Sequence, residues 1–207
     1  MRAAAVVAAA LSLVVAAAVP AQAATVTLTS GHVDVLDVDY TAGALVLNVN
    51  DDVTERNPAD VVFQVPAAAK ITVPAGSAWS FLGTAGGTAW VLPQGNTSGL
   101  LWAGWNTAEV PSGVFQSNSV TFRLNSFTGP GHVSVYTVSA GTPTRLFDSS
   151  NGLPDTRTVT YNVHTHANWG FTAAGTYTLD FEVTGKLLST GATVTTGVKA
   201  FTFTVLP

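Results

Sequence analysis

Gly175-Thr-Tyr-Thr-Leu-Asp-Phe-Glu-Val-Thr184 alternates without a fault: Tyr177, Leu179, Phe181 and Val183 fall on one side, Thr176, Thr178, Asp180 and Glu182 on the other. A period of two places successive side chains on opposite faces of an extended chain, so this stretch reads as a strand with one face in a core and one in water. The same period recurs downstream in Ala200-Phe-Thr-Phe-Thr-Val205 and upstream in Arg157-Thr-Val-Thr-Tyr-Asn-Val163, His132-Val-Ser-Val-Tyr136 and Val120-Thr-Phe-Arg-Leu124. Runs at 33–38, 45–49 and 61–65 alternate less cleanly and read as strands covered on both faces. After residue 23 no apolar stripe keeps helical spacing, and Gly, Pro and Asn punctuate the strands. The expected fold is all-β, an antiparallel immunoglobulin-like β-sandwich, with a closed barrel as the alternative.

One stretch departs from this rhythm. Residues 74–118 hold Trp79, Phe81, Trp90, Trp102, Trp105 and Phe115 among many Gly and Ser, with only 88–92 reading as a strand. The expectation is an aromatic, Gly-rich insertion folded over the end of the sandwich. In the functional alternative, Trp90, Trp102 and Trp105 form an aromatic wall beside a ligand. Because Trp faces stack on sugar rings, that alternative is carbohydrate binding, with Asn96, Asn106 and Glu109 as polar neighbours.

Toward the amino terminus, Met1-Arg2 precedes an uncharged Ala/Val/Leu run, Pro20 and the small-x-small triplet Ala21-Gln22-Ala23. That order reads as a secretory signal peptide over 1–23, leaving 24–207 as one exported domain with no membrane insertion after cleavage. Eight basic residues stand against twelve acidic ones, and removal of Arg2 leaves seven. Such a charge disfavours nucleic acid and anionic lipid as partners. There is no cysteine, so disulfides and thiolate metal sites are excluded, and Met1 is the only methionine. Any metal must be held by His, carboxylate or backbone.

No G-x-S-x-G, H-E-x-x-H, P-loop, G-x-G-x-x-G or EF-hand pattern occurs. The positive signal is His164-Thr-His166, following the 157–163 strand in register. If the strand continues, both imidazoles project from one polar face with Cα atoms about 6.5–7 Å apart, close enough to converge on one cation. A closed zinc site needs four ligands. The remaining candidates are His32 and His132, each after a glycine at the start of a strand-like run, with Asp34 as a substitute and Asn168 as an orienting partner behind a histidine. Competing with this is the plainer reading of four unrelated histidines.

Gly31-His-Val-Asp-Val35, Trp90-Val-Leu-Pro93, Trp102-Ala-Gly-Trp105, Gly129-Pro-Gly-His132 and His164-Thr-His-Ala-Asn-Trp-Gly-Phe-Thr172 followed by Gly175-Thr-Tyr177 occur in that order. Through them the chain resembles the actinobacterial surface-anchored repeat domain, the choice-of-anchor M type. The resemblance implies a secreted or cell-surface module that works beside a metal-type ABC transporter and its substrate-binding protein. It also implies that His32, His132, His164 and His166 bind Zn²⁺ or a similar divalent ion. The expected function is binding and delivery of that ion, not catalysis. The alternatives are a wall-associated carbohydrate-binding or adhesion module and a metal-dependent hydrolase with Asp34 as base.

Overall fold

The computed structural model describes residues 25–207. The leader expected over 1–23 lies outside them. Three sheets surround a main core, and a smaller apolar cluster forms around Phe81, Leu82 and Tyr136. The largest runs, in order, Val26–Leu28, Val61–Val65, Lys199–Val205, Gly175–Lys186, Ser119–Thr128 and Asp155–Thr160, with Thr193–Thr195 also paired to Gly175–Lys186. A second orders Thr142–Asp148, Val133–Ser139, Asn168–Phe171, Thr88–Leu92 and Lys70–Thr72. The third orders His164–His166, Leu101–Asn106, Gly31–Thr41, Ala44–Asn50 and Glu55–Arg56. Parallel pairs join Val61–Val65 to both of its neighbours and Gly31–Thr41 to Leu101–Asn106, so the first and third sheets are mixed where a purely antiparallel pattern was expected, and the second is antiparallel throughout. Among the described residues no helix is long and apolar enough to cross a membrane.

The alternation in Gly175–Lys186 does what its period requires. Tyr177, Leu179, Phe181 and Val183 are all fully buried. Phe181 packs edge-on against Phe147 and Phe201, and Phe203 stacks on Phe63 and Trp169. Emptying such a site, as in Phe181→Ala, costs about 3–5 kcal/mol. At the start of this strand the Tyr177 hydroxyl donates to the Ala173 carbonyl at 2.9 Å and accepts from the Ala173 amide at 3.2 Å. This is the tyrosine corner of immunoglobulin-like sandwiches. Its ring occupies the space that a Cβ on Gly129 would need. A Cβ on Gly131 would meet Thr172 Oγ1 at 2.4 Å, so the glycines before His132 serve packing.

Residues 74–118 are more than a cover over the sandwich end. Thr88–Leu92 and Leu101–Asn106 are interior strands of two different sheets. The second escaped sequence reading because its inward residues, Leu101, Ala103 and Trp105, face Trp102 and Gly104 on the outward side, which hides the alternation.

Gly31–Thr41 carries a bulge. Against Leu101–Asn106 it pairs His32 with Trp102 and Asp34 with Gly104, then slips so that Asp37 opposes Asn106. Two consecutive apolar residues, Val35 and Leu36, therefore enter the core. His32, Asp34, Asp37 and Asp39 emerge together on the opposite face.

The strand expected to run from 157 through the histidines is broken twice. Asp155–Thr160 belongs to the largest sheet, and the chain then turns at Asn162, where φ is +55°. His164–His166 joins the third sheet, and after Ala167 the chain enters the second as Asn168–Phe171.

Candidate metal centre

Leu101–Asn106 is the axis of the site. On one side it pairs antiparallel with His164–His166, setting His166 opposite Gly104 and His164 opposite Asn106. On the other it pairs with Gly31–Thr41, setting Asp34 opposite Gly104 and His32 opposite Trp102. Four candidate ligands on two strands thus flank one glycine. A Cβ at Gly104 would lie 2.3 Å from the Thr165 carbonyl oxygen and 2.7 Å from His166 Nδ1. Only a residue without a side chain leaves room for the His166 ring here.

His32 Nε2 and His164 Nε2 are 3.0 Å apart. Asp34 Oδ1 is 3.1 Å from His164 Nε2 and 3.8 Å from His32 Nε2. One nitrogen from each of His32, His164 and His166 lies within 4.8 Å of the others. Tetrahedral zinc with bonds of about 2.0–2.2 Å separates its donors by about 3.3–3.5 Å, and the three short distances bracket that spacing. His166 Nδ1 is buried without a hydrogen-bond partner, and Asp34 Oδ1 is buried with only the His164 ring at 3.1 Å, a cost that a cation relieves. The donor set of imidazoles and one carboxylate suits zinc and its borderline neighbours.

The rings are held from behind. His166 stacks on Trp102 at 3.7 Å between centroids with 15° between planes, while His32 meets the same indole edge-on at 5.6 Å. Trp102 Nε1 donates to the Gln94 carbonyl at 2.8 Å, and the Gln94 amide donates to Asn168 Oδ1 at 2.9 Å. The Asn168 side chain thus bonds Gln94 and the Tyr136 carbonyl, and no histidine. It fixes Gln94, which fixes Trp102, which carries His166. On the far side His32 Nδ1 lies 2.9 Å from Asp52 Oδ1, a carboxylate placed to orient that ring.

Burial, reinforced by His32 and His164, pushes His166 down to about 4, so its ring is neutral and free to ligate at neutral pH. Burial also raises Asp34, against the opposing pull of His164 and His32. A cavity of about 400 Å³ opens beside the rings, lined by Gln94, Trp102, His164, Thr165 and His166. The His164 side chain is about half exposed, so the site faces the surface.

Three of the four expected histidines meet, with Asp34 in the place anticipated for a substitute. His132 does not join them. It lies exposed by Phe127, its amide bonded to Thr172 Oγ1, because its strand pairs in the second sheet, not the third. The expected aromatic wall also dissolves: Trp90 and Trp105 are buried in the core, and Trp102 supports the histidines. Gly104, Gln94 and Asp52 were not anticipated. Of these only Gly104 left a trace in the sequence, as a glycine interrupting Leu101–Asn106. No protein-family model, curated protein or solved structure matches the chain, and the reading of this centre rests on its own geometry.

Proposed function

We propose that this protein binds a divalent transition metal ion, Zn²⁺ foremost, through His32, His164 and His166 with Asp34 as the fourth donor. In this reading it is a secreted or cell-surface binding protein that passes the ion to an ABC uptake system through that system's substrate-binding protein. One observation carries it: imidazoles 132 residues apart bring their Nε2 atoms to 3.0 Å over a glycine floor, beside an aspartate. Two neutral rings in that position gain one hydrogen bond, whereas a cation satisfies all the donors together. A half-exposed ligand next to an open cavity suits cargo that must be released. It does not resemble a fully enclosed structural zinc. The carbohydrate alternative loses its stacking platform with Trp90 and Trp105 in the core.

Elemental analysis of the purified protein, followed by calorimetric titration of Zn²⁺, Cu²⁺ and Mn²⁺, tests the reading. Wild type takes up one equivalent of Zn²⁺, His164→Ala/His166→Ala takes up none, and His132→Ala behaves as wild type. Equal binding by wild type and the double variant overturns it.

A further inference from the structure

A second cluster lies beyond the bulge on the same face of Gly31–Thr41. One carboxylate oxygen from each of Asp37, Asp39 and Glu55 lies within 4.8 Å of the others. Glu109 joins their field: the Asn106 amide nitrogen donates at 2.9 Å to Asp37 Oδ1 and at 2.6 Å to Glu109 Oε2. Asp37 is 1 % exposed, and its other oxygen, Oδ2, is buried with no hydrogen-bond partner. Among the described residues no Lys, Arg or His forms an ion pair with Asp37, Asp39, Glu55 or Glu109. The nearest such cation by sequence, Arg56, is bound to Asp51 at 3.0 Å.

Carboxylates gathered without a counter-charge destabilise a fold unless something neutralises them. Burial, together with Asp39 and Glu109, pushes Asp37 up to about 7, and burial with Glu55 and Glu109 pushes Asp39 up to about 6. The donors are all oxygen, two of the residues are anchored on one strand, and the third, Glu55, is at the surface, where an ion can enter.

We infer that Asp37, Asp39 and Glu55, with Glu109 at the rim, form a site for a hard divalent cation of the Ca²⁺ class, distinct from the histidine centre. Clustered carboxylate oxygens suit Ca²⁺, and extracellular modules hold it with dissociation constants of about 10⁻⁴–10⁻³ M. Asp37 Oδ2 gains the partner it lacks, and the repulsion along the strand is relieved.

The test is thermal unfolding of the full chain at pH 7.5 with CaCl₂ raised to about 10 mM, tenfold above the weakest expected dissociation constant. Ca²⁺ raises the wild-type Tm by about 3–11 °C, as expected for a ligand at ten- to hundredfold excess on a domain of this size. The rise disappears in Asp37→Asn/Asp39→Asn and requires at least tenfold more Ca²⁺ in Glu55→Gln, a surface change that spares the core. It persists in His164→Ala/His166→Ala, and this separates the site from the zinc reading, whose failure leaves the Ca²⁺ response intact. A wild type indifferent to Ca²⁺, or a response undiminished in both carboxylate variants, overturns the inference.

Discussion

The outer face of Gly31–Thr41 has two ends that differ in kind. On the amino-terminal side of the bulge, His32 and Asp34 face imidazoles across a glycine, and His164 and His32 favour the charged form of Asp34. On the carboxy-terminal side, Asp37 and Asp39 face Glu55, Glu109 and one asparagine, and the like charges oppose one another. One inserted residue at Val35/Leu36 brings both sets to the same side. The comparison teaches that backbone register, more than residue type, decides which chemistry a strand displays. Without the slip Asp37 and Asp39 would point into the core and Leu36 into water.

The largest expected effect breaks the two ends apart. His32→Ala/His166→Ala lowers Zn²⁺ affinity by about three orders of magnitude or more, since two of four ligands are gone, while leaving the Ca²⁺ response within twofold. Parallel titrations of both ions measure it. Next comes Gly104→Val, whose side chain collides with the Thr165 carbonyl and His166. Stability falls by about 1–3 kcal/mol in chemical denaturation. Zn²⁺ affinity drops with it, and the carboxylate end is spared.

A smaller effect concerns acid. Asp37 and Asp39 hold protons more tightly folded than unfolded, so their stabilising contribution is fully present below about pH 4 and is lost as pH rises through about 6 and 7. In cation-free buffer wild type loses Tm across that window, whereas Asp37→Asn loses less and exceeds wild type at pH 8 by about 2–5 °C. Differential scanning fluorimetry from pH 4 to pH 8 follows both. The smallest effect is Asn168→Ala, which frees Gln94 and, through it, Trp102. It weakens Zn²⁺ binding by about tenfold or less, below or at the foot of the range for partners that touch a ligand directly.

The fold was legible wherever one face was wet. Tyr177 to Val183 and Phe201 to Val205 alternate because their strands separate core from solvent, and the all-β sandwich follows from them. Leu101–Asn106 was illegible because both its faces are occupied, one by core and the other by histidines. Of the site, His164 and His166 could be read from spacing alone, since any extended H-x-H turns both rings one way. Their union with His32 depends on a parallel pairing between distant strands, which no local pattern encodes. His132 misled because Gly31-His-Val and Gly131-His-Val look alike, yet the second glycine is there to admit Thr172.

The chain makes three sheets from one ribbon between residues 155 and 171, and His164–His166 is the middle piece, an edge strand tied to its sheet along a single side. A cross-link between that edge and His32 closes a loop of more than a hundred residues, where the entropy removed from the denatured chain is large. In a molecule with no cysteine, the ion proposed for those side chains would do the job of a reversible staple. Under the proposed function, its departure would loosen the edge strand His164–His166, so release of the ion and local slackening of that edge become one event.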